Sequence, residues 1–174
     1  MSMPLPRTEL TLVVTAFALA LQLFVPAVMA EDLLVQAKQL ALPARAYPEM
    51  TQVSDQVASL IARMEANTNQ LKEYRKARIR ATDRRYSSLT REFNTTRSRI
   101  SEVERKVDKA PSLDLNRFPT PPGGDRGNSP HDIRERMLAK EIKKYDQAKA
   151  SLKQCLRTLS DHYDQQLRQI AKLR

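Results

Sequence analysis

The stretch Asp161-His162-Tyr163-Asp164 holds the densest grouping of chemically competent side chains in a chain of 174 residues. Two carboxylates three residues apart, with an imidazole between them, could catch a divalent cation weakly. On a helix, Tyr163 takes the apolar stripe. That leaves Asp161 and Asp164 facing water with His162 at the flank, as on an ordinary solvated face. The other histidine, His131, stands just past the Pro/Gly-rich stretch. One Cys and two His fall short of the usual four-ligand zinc site. Gly123, Gly124 and Gly127 share one short stretch, so no glycine-rich turn exists to cradle a nucleotide phosphate. Ser160 precedes Asp161 and His162, but helix neighbours one or two apart do not face each other, so no nucleophile is lined up with both a base and an orienting acid. These patterns predict no catalytic, cofactor-binding or metal site, and a non-enzymatic protein. Cys155 flanks an apolar stripe beside Leu156. It is either a small apolar side chain at the edge of that stripe or a candidate intermolecular disulfide to Cys155 of a second copy. Asn94-Thr95-Thr96 is a glycosylation sequon just off another stripe.

Charge is the stronger signal. Thirty Lys and Arg oppose twenty Asp and Glu, for a net charge of +10. The run 72–85 (KEYRKARIRATDRR) contains Lys72, Arg75, Lys76, Arg78, Arg80, Arg84 and Arg85, opposed only by Glu73 and Asp83. Lys144, Lys153 and Arg157 add positive charge further along. Together these ten form a candidate surface for an anionic partner, such as lipid headgroups, phosphates of an envelope surface or an acidic protein. Nucleic acid is disfavoured, because Tyr74 and Tyr86 fall on the apolar stripe and build no stacking platform.

Residues 1–30 read as an address. Leu12–Val25 is apolar except for Thr15 and Gln22, and Pro26 precedes small residues ending at Ala30, ahead of Glu31-Asp32. This fits a secretory signal cleaved after Ala30, with Val28 and Ala30 in the two small-residue places. The rival is an uncleaved anchor over residues 10–30, long enough to span about 30 Å of hydrocarbon. Either way the expectation is export, to the periplasm or outside the cell, or tethering at the membrane.

The elements that carry these residues are all helical. Residues 31–48 predict a short helix, LLVQAKQLAL, and a loop bracketed by Pro43 and Pro48. In 49–109, apolar residues recur at three- and four-residue steps: Met50, Val53, Val57, Leu60, Met64, Leu71 and Tyr74. Ile79, Tyr86, Leu89, Phe93, Ile100, Val103 and Val107 repeat in a second register, shifted by one residue near Ala77. Without Gly or Pro in between, this reads as one long coiled-coil helix with a skip. Residues 110–130 hold five prolines and all three glycines, and predict a disordered connection. Ser129, Pro130 and Asp132 then supply a helix start. The second helix, 131–174, carries Leu138, Ile142, Tyr145, Lys149, Leu152, Leu156, Leu159, Tyr163, Gln166, Ile170 and Leu173 in strict 4-3 spacing.

The expected fold is therefore all-α: a long antiparallel helical hairpin or coiled coil, with a short N-terminal helix and a Pro/Gly-rich connection. Folding back would set residues 144–157 opposite 83–96, so that the basic surfaces partly coincide. A parallel oligomer is the alternative pairing. In size, export signal, basic charge and hairpin the plan is similar to that of small periplasmic chaperones of the Skp type, though without their strand body. The function expected is a structural subunit, spacer or adaptor of a cell-envelope assembly, binding protein partners, itself included, through its seams. A holdase chaperone and a membrane-tethered lysis or spanning rod of phage type are the alternatives.

Overall fold

The computed structural model describes residues 32–80, 82–119 and 129–172. The described elements are α1 (32–41), α2 (Thr51–Lys76), α3 (Arg84–Asp108) and α4 (Pro130–Ala171), with short 3-10 turns between α1 and α2 and after α3, and no strand among the described residues. The all-α class and the antiparallel hairpin hold, the latter formed by α3 and α4.

The single helix 49–109 does not hold. The chain stops at Lys76 and reverses through 77–83, so that α3 folds back on α2. The stop is chemical. The Arg78 N–H donates to the Arg75 carbonyl (3.0 Å) and the Ile79 N–H to the Tyr74 carbonyl (3.1 Å), with Arg78 left-handed at φ 51°. That pair of bonds satisfies carbonyls a helix end leaves open. Asp83 then opens α3, its carboxylate accepting from the Arg85 N–H at 2.9 Å. Tyr74 and Tyr86 meet edge to face across the reversal, centroids 5.5 Å apart. The one-residue register shift near Ala77 marks a chain reversal.

Three long helices thus run side by side. Arg63 of α2 and Arg99 of α3 line one depression, and Asn67 faces Thr95 and Thr96, so α2 and α3 are antiparallel. Phe93 meets Tyr163 at 5.8 Å and Asp108 pairs with Lys153, so α3 and α4 are antiparallel. Thr68 bonds His162 while Tyr47 packs on Tyr145, so α4 runs parallel to α2. The expected register is corrected accordingly. Lys153 lies beside Asp108, not beside the start of α3, because 110–118 continue along α4 instead of forming the tip.

Both registers of 49–109 are buried as the spacing requires, from Met50 to Leu71 and from Tyr86 to Val107. In α4 the stripe is buried from Tyr145 to Ile170. A second stripe on α4 was not expected: Ala148, Cys155, His162 and Gln169, spaced by seven, are buried too. A helix packed against two neighbours buries two faces. α2 shows the counterpart in Ser54, Ile61 and Thr68.

α1 lies antiparallel on α2. Leu34, Ala37 and Ala41 are buried, and Lys38 pairs with Glu65 at 2.9 Å. The expected short helix and Pro-bracketed turns are present, with Pro43–Ala46 and Pro48–Met50 in 3-10 geometry. Residues 110–118 are docked, which corrects the disordered connection over that part. Leu113 is buried, the Tyr145 hydroxyl donates to the Pro111 carbonyl, and the Asp114 N–H donates to Glu49 at 2.9 Å. Arg117 adds an ion pair to Glu49 at 3.5 Å. Residues 120–128 lie outside the described residues. Ser129 caps α4 as predicted, accepting from the Asp132 N–H at 3.3 Å.

Candidate anionic-partner surface

The reversal 77–83 places the basic run at one end of the bundle. Lys76, Arg78, Arg80 and Arg84 are exposed, and Lys72 and Arg75 are half-buried. The end exists because α2 stops there and α3 starts there, so residues that one long helix would spread along a rod are folded into a cap.

Not all seven are equally available. Arg85 is engaged by Asp83, through Nε at 3.1 Å and Nη2 at 3.2 Å. The Arg85 side chain holds the Asp83 carboxyl below its usual pKa, and Asp83 raises that of Arg85. Burial lowers the pKa of Arg75, opposed by the neighbouring Tyr86. Among the described residues, Lys76, Arg78, Arg80 and Arg84 make no ion pair.

The other three candidate residues do not join them. Lys144 is bonded to Glu141 at 2.7 Å and Lys153 to Asp108. Arg157 is exposed midway along α4. From Asp108 back to Arg84 is a helix of 25 residues, about 37 Å at 1.5 Å per residue. The ten residues are not one surface, because the expected hairpin register was wrong by several turns.

Between α2 and α3 the fold brings together a basic groove the spacing did not reveal. Arg63, Asn67, Arg91, Thr95 and Thr96 line one part, with Glu92, and Arg63, Arg99, Glu102 and Lys106 line the next. Arg63 and Arg99 are 36 positions apart, and only the reversal near Ala77 makes them neighbours. Glu102 and Lys106 pair at 2.8 Å, which consumes part of the charge.

The grouping at 161–164 is split between two interfaces. His162 is fully buried and turned toward α2. Thr68 Oγ1 gives its one hydrogen to the Met64 carbonyl (2.7 Å), so it accepts from His162 Nε2–H at 2.9 Å. Tyr163 and Asp164 turn toward α3. The Tyr163 hydroxyl donates to Asn94 Oδ1, and Asp164 pairs with Arg97 at 3.5 Å. The expectation that His162 lies at the flank is therefore corrected, while Asp161 is exposed and Asp164, though paired with Arg97, keeps 38% of its side chain exposed. The sequon asparagine is itself engaged at this interface.

Cys155 is completely buried, and desolvation pushes its thiol up to about 12. In this fold the sulfur lies on the α2-facing stripe of α4 as a small apolar side chain, and a bridge to a second copy would require that interface to open. His131, Asp132 and Glu135 offer ligand atoms within 4.8 Å of one another, all on exposed side chains in the first turn of α4. Water solvates such a grouping readily.

No described helix is long and apolar enough to cross a membrane, and the apolar segment 10–30 lies outside the described residues. Compared with protein-family models, with curated proteins and with solved structures, the chain matches none.

Proposed function

We propose that this protein is an exported, non-enzymatic helical subunit that serves as a spacer or adaptor in a cell-envelope assembly. The observation that carries the reading is the arm formed by the start of α4. α4 has 42 residues, but its burial begins only at Tyr145. Residues 131–144 before it, about 21 Å of helix, are exposed or half-buried, with Ile142 bordering Leu113 and Leu115. Ile142, on the stripe closed further along, stays 40% exposed, and Met137, on another face of this arm, stays 44% exposed. A helix end that leaves large apolar side chains open to solvent offers surface for packing against another protein. The apolar, small-residue-ended segment 10–30 supports export.

The test is site-specific photo-crosslinking in cells from Met137 and Ile142, with Ser87 on α3 as a control position. A discrete adduct with an envelope-fractionating protein, formed from the arm and not from Ser87, is the expected result. A chain that forms no adduct from either arm position, and is found in the cytoplasm, refutes the proposal.

A further inference from the structure

The most charged end of the bundle is also the end from which residues 1–31 join it. α1 runs antiparallel to α2, with Lys38 level with Glu65, so Asp32 lies near the level of Leu71. From there to the last residue of α2 is about 8 Å. α4 finishes at the same end, because it runs parallel to α2 with His162 level with Thr68. That offset sets Lys172 level with Arg78 and Arg168 level with Tyr74. One end of the bundle therefore gathers Lys76, Arg78, Arg80 and Arg84 from the reversal, and Arg168 and Lys172 from the last turn of α4. All six are exposed and, among the described residues, without an ion pair. Of the carboxylates at this level, Asp83 is taken by Arg85, and Glu73 and Asp32 remain.

The first described residue, Asp32, and a cap of unneutralised guanidinium and ammonium groups thus share one end, and the segment of membrane-directing composition precedes Asp32 in sequence. We propose that this end is a membrane-docking face, binding the anionic headgroups of a phospholipid surface while the α4 arm points away from it. The proposal rests on the reading that residues 10–30 serve export, and it adds the orientation and the lipid class. The occupant is identified by charge complementarity and by where the chain leaves the described bundle. Clustered Lys and Arg beside a membrane-directed segment are attracted to anionic lipid, and the attraction decays within a Debye length. Headgroup phosphates suit exposed guanidinium forks, which bind them through paired N–H donors.

The experiment uses the full chain with Thr82→Cys carrying an environment-sensitive fluorophore. Thr82 is exposed in the reversal, and the burial of Cys155 leaves the new thiol as the reactive one. Ser112→Cys, exposed near the other end, is the control position. Each is mixed with vesicles of phosphatidylcholine alone or with one-third phosphatidylglycerol, then floated and read by emission. The expected result is a blue shift at position 82 on anionic vesicles only, none at 112, and reversal of the shift at 0.5 M salt. Combining Arg78→Glu, Arg80→Glu and Arg84→Glu should weaken the anionic-vesicle response at least about tenfold. Circular dichroism confirms that this exposed triple variant remains folded.

Flotation with both vesicle types but equal emission at 82 overturns the proposal and leaves the anchor reading standing. Flotation with anionic vesicles alone, with the shift at 82, supports the docking face and removes the anchor. Flotation with neither overturns the proposal, as does a shift produced by polyglutamate or DNA in place of lipid.

Discussion

Arg78 separates a reversed chain from a continuous helix by the sign of one measurement. At φ 51° it sits in the left-handed region, at the position where helices commonly end in Gly. A side chain with a Cβ costs about 1–2 kcal/mol there, while Gly restores about 0.5–1 kcal/mol of unfolded-state freedom that folding must remove. Arg78→Gly should therefore be more stable than Arg78→Ala by about 0.5–1 kcal/mol. The two variants carry the same loss of charge, so the comparison isolates the backbone. Were residues 49–109 one helix, position 78 would be interior, and Gly would be about 0.8–1 kcal/mol less stable than Ala. Urea unfolding followed by far-ultraviolet circular dichroism reads the difference as a shift in midpoint at constant slope. For a chain of this size the corresponding thermal shift is about 1–4 °C. A midpoint lower for Gly than for Ala would refute the reversal, and with it the basic end.

Three further outcomes are expected. Cys155, with its thiol at about 12, should remain unmodified by a thiol reagent at pH 8 until urea unfolds the bundle, so rapid labelling of the native chain would place it at the surface. Thr68→Val removes the acceptor of His162 Nε2–H in a buried interface and should cost about 1–3 kcal/mol in urea unfolding, whereas a change below about 0.3 kcal/mol would deny that contact a role. Asp83, Glu102 and Asp108 have folded pKa values lowered by hydrogen bonds from Arg85, Lys106 and Lys153, so the unfolded chain binds protons more readily. Their contribution is present above the ordinary carboxylate range and fades as pH falls through the lowered values. The thermal midpoint should drop below about pH 4, less steeply for the chain carrying Asp108→Asn, and an unchanged pH slope in that variant would remove the Lys153 pair from the account.

Helix identity was legible because its signals are local. Ser129, Pro130 and Asp132 announce the start of α4 by cap chemistry alone, and the stripes of 50–71, 86–107 and 145–170 declare which face is buried. The shift of register near Ala77 was legible too, but not its meaning. A one-residue skip is compatible with a continuous helix or with a reversal, and nothing in the hydrophobic spacing chooses between them. Burial chooses: Tyr74 against Tyr86, and α4 laid across both helices, reward the reversal. The same third helix hid the second stripes. Ala148, Cys155, His162 and Gln169 are small or polar, so hydrophobic periodicity passes over them, and they are buried only because α2 lies alongside.

What the amino-acid order determined by itself was the helical class, the caps, the sites of apolar burial and the concentration of positive charge in 72–85. Those depend on interactions within a few residues along the chain. Tertiary structure alone decided that this charge forms an end cap, that Arg63 and Arg99 share a groove, that Cys155 and His162 are sealed inside, and that Lys144 and Lys153 pair locally far from the cap. Such facts depend on which helices meet and in what register. Register is set by the summed packing of aromatic layers, Tyr47 on Tyr145 and Phe93 on Tyr163, between residues 70 or more positions apart.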